Sequence, residues 1–128
     1  MVKPDTVADG HWGDIISIAL RNGFQINRVT LTHFDRARAE DFYAVHKERP
    51  FFPELVSYIT SGSVVAVEIE GDEVVARVRE LIGATNPEDA RPGTVRAMYG
   101  KSLQCNAVHG SDSPENAKKE LAIAFAGS

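Results

Sequence analysis

The chain has 128 residues, 43% of them hydrophobic and 25% charged, which is typical of one globular domain around a single core. The formal net charge of −4 gives no reason to expect a stable complex with nucleic acid held by excess positive charge. No run of about 18 apolar residues and no signal peptide is present, so we expect no membrane association. The single cysteine, Cys105, excludes an internal disulfide and fits the cytoplasm.

Hydrophobic periodicity predicts an alternation of helices and strands. Five segments have helical spacing: 11–22, 35–46, 52–61, 74–82 and 114–125. Three segments are typical of strands: 24–34, 64–69 and 105–108. Residues 84–104 read as a long loop, and residues 1–5 as a strand end that enters a turn. This order predicts helices packed on an open sheet, and the helix pair after residue 34 favours a split β-α-β arrangement with an antiparallel sheet.

His109 is the first candidate for chemistry. It lies just before the helix start Ser113-Pro114-Glu115, and backbone N–H groups at a helix start can bind an anion. A lone histidine is more often structural than catalytic. Here, however, Gly110 allows close backbone approach, Ser111 can form hydrogen bonds, and Glu120 can orient an imidazole.

Most of the candidate phosphate ligands are cationic or hydroxyl residues within the long loop. The candidates for phosphate contacts are Lys3, Arg79, Arg91, Arg96, Lys101, Thr85 and Thr94. Phosphoryl transfer needs mainly positioning and charge neutralisation, so dispersed cations around one histidine fit it. A set of solvated surface charges is the alternative. The absence of a GxxxxGK[ST] loop and of a kinase-type glycine-rich loop excludes a P-loop enzyme and a protein-kinase fold.

The aromatic pair Phe51-Phe52 follows Arg49-Pro50 at a predicted helix start. Phe52 is best interpreted as a buried residue that anchors this helix, whereas an exposed Phe51 can stack on a flat ring such as a nucleobase. A site in which protein side chains bind a metal is not expected, because three other histidines lack metal-ligand spacing: His11, His33 and His46.

Taken together, five motifs resemble the nucleoside diphosphate kinase family. They are Lys3-Pro4-Asp5, the run from Tyr43 to Phe52, Gly83-Ala84-Thr85-Asn86-Pro87, Arg91-Pro92-Gly93-Thr94-Val95-Arg96, and Asn106-Ala107-Val108-His109-Gly110-Ser111-Asp112-Ser113. The motifs keep the family's order and spacing without gaps, and the last one is close to the family's active-site signature.

The resemblance implies a ping-pong exchange in which His109 takes the γ-phosphate of a nucleoside triphosphate, mainly ATP, and passes it to a diphosphate such as GDP. Matching residues for phosphate and ribose contacts are Lys3, Arg79, Thr85, Arg96 and Asn106. Phe51 and Leu103 match the apolar contacts to the base. The residues that position the histidine and the phosphate are Tyr43, Ser111 and Glu120. Mg²⁺ is expected on the nucleotide phosphates.

The implied fold is a ferredoxin-like βαββαβ sandwich with a four-stranded antiparallel sheet, in a single domain over residues 1–128. A homo-oligomer, namely a dimer-based tetramer or hexamer, is implied as well. Only Met1 and Val2 precede Lys3, so the first strand is expected to be cut short. The alternative function is a catalytically weak nucleotide-binding or interaction module that keeps this fold.

Overall fold

The computed structural model describes residues 1–127. The α-helices, in chain order, are α1 (Pro4–Ala8), α2 (Trp12–Arg21), α3 (Arg36–Phe42), α4 (Phe52–Ile59), α5 (Val74–Ile82), α6 (Val95–Tyr99) and α7 (Pro114–Ala124). The strands are β1 (Gln25–Thr32) and β2 (Val64–Glu70), and short 3-10 helices occupy Ala44–His46 and Pro87–Asp89. Within the described residues, no helix is long and apolar enough to cross a membrane.

Most predicted elements are confirmed, and the differences have local causes. Helix α1 replaces the expected turn, because Pro4 occupies the first helical position, where its fixed φ suits a helix. Helix α6 lies inside the expected loop and is capped by Thr94, whose side chain accepts a hydrogen bond from Ala97 N. The predicted helix 35–46 ends at Phe42 and continues as a 3-10 turn.

The sheet is smaller than expected. Strands β1 and β2 pair antiparallel, with a register shift between Ile26 and Arg28 where the sequence predicts an irregularity. Val2 forms single antiparallel bridges to both Val65 and Val108. The predicted strand 105–108 is therefore reduced to one bridge, and the described residues form two strands rather than the expected four. The fold is a mixed α/β fold.

The first three residues of strand β2 are buried on both faces, and the strand separates two apolar clusters. Val64 and Ala66 pack in one cluster and Val65 in the other, because successive strand side chains point to opposite faces. Ala124 of α7 belongs to the first cluster, whereas Val108 belongs to the second. A residue that follows Val108 can therefore contact a residue of α7 at the boundary between the two clusters.

Candidate active site

The side chains of His109, which follows Val108, and of Glu120 on α7 are in hydrogen-bond contact. His109 Nε2 lies 2.7 Å from Glu120 Oε1, and Ser111 Oγ donates to the same oxygen at 2.7 Å. Glu120 stands on α7, whose first turn is fixed by the Ser113 side chain accepting from Asn116 N. Because a carboxylate only accepts, a neutral His109 carries its proton on Nε2, and the free lone pair is on Nδ1.

The electrostatics of this pair favour a neutral imidazole beside an ionised carboxylate. Burial lowers the pKa of His109 below its ordinary value, and the hydrogen bond to Glu120 opposes part of that shift. Burial acts to raise the pKa of Glu120, but the hydrogen bonds from His109 and Ser111 outweigh it, and the pKa lies below the ordinary value. A neutral imidazole is the form that can act as a nucleophile.

Two aromatic rings enclose the imidazole. The ring of Phe42 lies 5.0 Å from that of His109 at 68°, and the ring of Tyr43 lies 5.6 Å from it at 85°. Burial raises the pKa of Tyr43 well above its ordinary value, and the charge of Glu120 adds to this. Within residues 1–127, the buried Tyr43 hydroxyl has no hydrogen-bond partner, so it is a protonated donor that is available to a ligand.

Lys3 is a buried cation whose ammonium group lies in the region of the histidine. Its Nζ donates to Asn106 Oδ1 at 2.7 Å and to Gln104 O at 3.2 Å. Burial, with a smaller contribution from the nearby charge of Arg96, lowers the pKa of Lys3 to about 8. An ammonium group that is buried against another cation is ready to pair with an anion.

Arg96 and Arg79 are like charges that lie near each other. Arg96 donates from Nη1 to Gly83 O and from Nη2 to Val108 O, both at 3.0 Å, while Arg79 Nη1 donates to Gly110 O at 3.3 Å. Burial lowers the pKa of Arg96, and the charge of Arg79 adds to the shift. Arg96 Nε is buried without a partner among the described residues.

The charges of Lys3, Arg79 and Arg96 are not neutralised by ion pairs among the described residues. None of them forms an ion pair with a carboxylate of residues 1–127. Hydrogen bonds to backbone carbonyls hold the guanidinium groups in place but do not neutralise them. The arrangement therefore leaves fixed positive charge near His109, which is what a phosphoryl group in transfer requires.

The turn before His109 is strained. Ala107 has φ +75°, and Val108 N donates to Asn106 O at 2.9 Å, which makes a γ-turn of the rare positive-φ type. Such a conformation costs about 1–3 kcal/mol. Lys3 N donates to Ala107 O at 2.9 Å, and Asn106 Nδ2 donates to Thr85 O at 2.9 Å. These bonds hold the turn and join Thr85 to the Lys3 end of the site.

The residues predicted to contact the base lie farther from His109 and nearer the protein surface. Phe51 is 47% exposed and Leu103 is 61% exposed. A row of rings leads from the histidine to Phe51: Tyr43 to His46 at 6.4 Å and His46 to Phe51 at 5.4 Å. Phe51 is therefore an exposed aromatic surface that lies beyond Tyr43 and His46. Leu103 lies on the exposed part of the loop after α6.

An apolar cavity of about 160 Å³ lies next to the histidine. His109, Ser111 and Glu120 contribute to its wall, but most of the lining comes from aliphatic side chains of β2, α2, α5 and α7. Apolar walls are unfavourable for a triphosphate. The cation side of His109, rather than this cavity, is therefore the part of the site that fits phosphate.

Comparison with known proteins identifies the family. Residues 1–128 match the family model of nucleoside diphosphate kinases. The chain belongs to the nucleoside diphosphate kinase family. A nucleoside diphosphate kinase of Chlamydia abortus is 52% identical over 125 residues, which are 98% of this chain and 89% of that protein. The corresponding protein of Chlamydia pneumoniae is 50% identical and aligns with 98% of this chain and 87% of that protein.

Solved nucleoside diphosphate kinases have the same fold. The enzyme of Aquifex aeolicus superposes with a TM-score of 0.94 at 45% identity, over 98% of this chain and 92% of that one. The enzyme of Halobacterium salinarum, solved in complex with CDP, superposes with a TM-score of 0.92 at 41% identity, over 97% of this chain and 83% of that one. The predicted family and the mixed α/β fold are confirmed.

Three contacts of this nucleoside diphosphate kinase site have no counterpart in the predictions from sequence. They are the Phe42 ring against His109, the Gln104 carbonyl on Lys3 and the Gly83 carbonyl on Arg96. Phe42 carries a partial signal, because it precedes Tyr43 on the apolar side of a predicted helix. Backbone carbonyls carry no residue-specific signal. Gly83 is an exception, because its residue type is constrained. A β-carbon there would lie 2.6 Å from Thr94 Oγ1, so a larger residue would displace Thr94.

Proposed function

We propose that this chain transfers the γ-phosphate of a nucleoside triphosphate, mainly ATP, to a nucleoside diphosphate such as GDP through a phosphohistidine on His109 Nδ1. The observation that carries the proposal is the 2.7 Å contact between His109 Nε2 and Glu120 Oε1. Because Nε2 is occupied as a donor, the nucleophilic lone pair is on Nδ1.

The reaction is a displacement at phosphorus. The Nδ1 lone pair attacks the γ-phosphorus, the bond to the bridging oxygen breaks, and the nucleoside diphosphate leaves with that electron pair. A second diphosphate enters the same site and takes the phosphoryl group by the reverse step. Glu120 stabilises the positive charge that develops on the imidazole, and Ser111 holds the Glu120 carboxylate in place.

The cations bind and orient the phosphates in this proposal. Lys3, Arg79 and Arg96 neutralise their charge, and the Tyr43 hydroxyl donates a hydrogen bond to a phosphate oxygen. The Tyr43 hydroxyl and Arg96 Nε, which have no partner among residues 1–127, support this, because buried donors are normally satisfied and a phosphate oxygen would satisfy them.

Four further residues complete the nucleotide site. We propose that Asn106 and Thr85 contact the ribose and phosphates, and that Phe51 and Leu103 contact the base. The hydrogen bond from Asn106 Nδ2 to Thr85 O, which joins the first two residues, supports this. Stacking on an aromatic ring tolerates every base, so this end of the site fits many nucleotides.

Mg²⁺ is proposed as the cofactor, carried by the nucleotide phosphates. Among residues 1–127, no three or more His, Cys, Asp and Glu side chains are grouped so that they could hold a metal ion. The ammonium group of Lys3 and the guanidinium groups of Arg79 and Arg96 cannot ligate a cation. Bound with the nucleotide, Mg²⁺ would neutralise phosphate charge, while the protein residues orient the phosphate chain.

The finer features of fold and assembly are also proposals. We propose one domain over residues 1–128 with a ferredoxin-like βαββαβ sheet of four strands. The two bridges of Val2 support it, because they place Val2 between Val65 and Val108. We also propose a cytoplasmic homo-oligomer, a dimer-based tetramer or hexamer. The exposed Val29 and Leu31 support self-association, because they lie on β1, which pairs only with β2 among the described residues.

The test is incubation with γ-labelled ATP, followed by acid and base treatment and by addition of GDP. We expect acid-labile, base-stable label on the protein that moves to GDP, and no label on His109→Ala. His33→Ala, an exposed histidine outside the site, is the matched control and should label normally. Binding of nucleotide by wild type without any label would instead support the catalytically weak module.

A further inference from the structure

Arg38 lies on α3, outside the nucleotide site, and binds the C-terminal end of α7. Its Nε donates to Ile123 O at 3.0 Å, and its Nη2 donates to Ala124 O at 2.6 Å and Ala126 O at 3.3 Å. The guanidinium lies 4.7 Å from the ring centroid of the buried Phe34. The bond to Ala124 O satisfies a carbonyl at the end of the helix, whereas Ile123 O also accepts from Ala126 N at 3.3 Å. The guanidinium places a positive charge where the helix dipole is negative.

The same helix carries Glu120. Ala124 follows Glu120 by four residues, so Arg38 binds α7 about one helical turn beyond the residue whose carboxylate holds His109. At its other end, α7 is fixed by the Ser113 cap. Arg38 and Ser113 therefore fix the two ends of the helix, and Glu120 lies between them.

Helix α3 also reaches the histidine directly. Phe42 follows Arg38 by four residues, and its ring lies 5.0 Å from the ring of His109. One helix thus contacts the imidazole through Phe42 and the end of α7 through Arg38. A shift of α7 relative to α3 would change the distance between Glu120 and His109.

We propose that Arg38 is a positioning residue for phosphoryl transfer: it holds α7 against α3 and thereby keeps Glu120 within hydrogen-bond distance of His109 Nε2. The proposal rests on the proposed function of His109. Arg38 does not touch the nucleotide or the reacting atoms. Its hydrogen bonds to three carbonyls require the forked guanidinium, which an ammonium group replaces only in part.

The test is a double-mutant cycle on the single-turnover rate of His109 phosphorylation by ATP. Arg38→Met keeps the aliphatic stem on Phe34 and removes the donors. We expect about a tenfold slower rate, because displacements of well under 1 Å are costly at a reacting group. In a Glu120→Gln background, Arg38→Met should change the rate less than about twofold. A tenfold loss in both backgrounds, or in neither, would overturn the proposal.

A second measurement separates positioning from loss of fold. The pKa of His109, followed by NMR of its ring, should fall in Arg38→Met, because the hydrogen bond that His109 donates to Glu120 raises that pKa and would weaken. Arg38→Lys should recover part of the rate and part of the pKa. An unchanged pKa in the folded variant contradicts the proposal.

Two controls complete the experiment. Arg36→Met removes a positive charge from the same helix at a position that is 77% exposed, and it should change neither rate nor pKa. The NMR titration needs no turnover. If wild type shows no label on His109, the proposed function fails, while the pKa shift still reports whether Arg38 positions Glu120.

Discussion

The two ends of the proposed nucleotide site are built differently. At the phosphate end, Lys3, Arg96 and Glu120 are each held by at least one hydrogen bond between 2.7 and 3.2 Å, and the histidine is enclosed by aromatic rings. At the base end, Phe51 and Leu103 are exposed apolar side chains. The contrast indicates fixed chemistry at one end and permissive recognition at the other.

The physical reason lies in what each end must do. Charge develops on the transferring phosphate, and only groups that are fixed beforehand stabilise it without a further cost of reorganisation. A base needs only a flat apolar surface, which every nucleotide satisfies. Substitutions at the phosphate end should therefore change the rate of chemistry, whereas substitutions at the base end should change affinity.

Glu120→Gln should give the largest effect among the groups around the nucleophile. The amide keeps the size of the side chain but carries no charge to stabilise the imidazolium, so we expect kcat to fall about 10²-fold. Single-turnover labelling with ATP measures it. Glu115→Gln, an exposed carboxylate in the first turn of α7, is the control and should leave kcat unchanged. A loss confined to KM would contradict the role given to Glu120.

The charge of Lys3 should set the alkaline limit of activity. The pKa of Lys3 is about 8, so the free enzyme loses this positive charge as the pH rises through that value. We expect kcat/KM to decline above about pH 8, and Lys3→Met to be about tenfold less active at pH 7 without that decline. A pH profile of kcat/KM for both proteins checks this. An identical alkaline limb in the variant would assign the limb to another group.

Phe51→Ala should have a smaller effect, and this effect should be on the affinity for the nucleotide. Loss of stacking should raise KM about tenfold, by a similar factor for ADP, GDP and CDP, with little change in kcat. Steady-state kinetics with each acceptor measure the split. Val45→Ala, which shortens the side chain of a residue that is 71% exposed, is the control. A loss restricted to purine nucleotides would contradict simple stacking.

The sequence was sufficient for the parts of the fold that have long periodic patterns. Helix α5, strand β2 and helix α7 lie close to their predicted bounds because each has several apolar residues at regular spacing. Helices α1 and α6 have five residues each, too few for a periodic signal, and their starts depend on Pro4 and on the Thr94 cap. The described residues form two of the four expected strands, and the pattern of single segments does not reveal this because pairing depends on partners distant in sequence.

The site was predicted mainly through the family resemblance. Composition and spacing alone supported His109 only as a candidate, since nothing local reveals that Glu120 Oε1 lies 2.7 Å from its Nε2. The strained Ala107 turn and the role of Arg38 also depend on contacts across the fold. Side chains with a chemical signature were predictable, whereas their hydrogen-bond partners on the backbone were not.

The most direct test of the account is the position of the phosphate on the enzyme. The protein is phosphorylated with unlabelled ATP and examined by heteronuclear NMR of labelled histidine rings, which distinguishes the two ring nitrogens. Because Glu120 occupies Nε2, we predict that the phosphate is on Nδ1 of His109 and that the Nε2 proton is retained. Phosphate on Nε2, or on any other residue, would contradict the central claim.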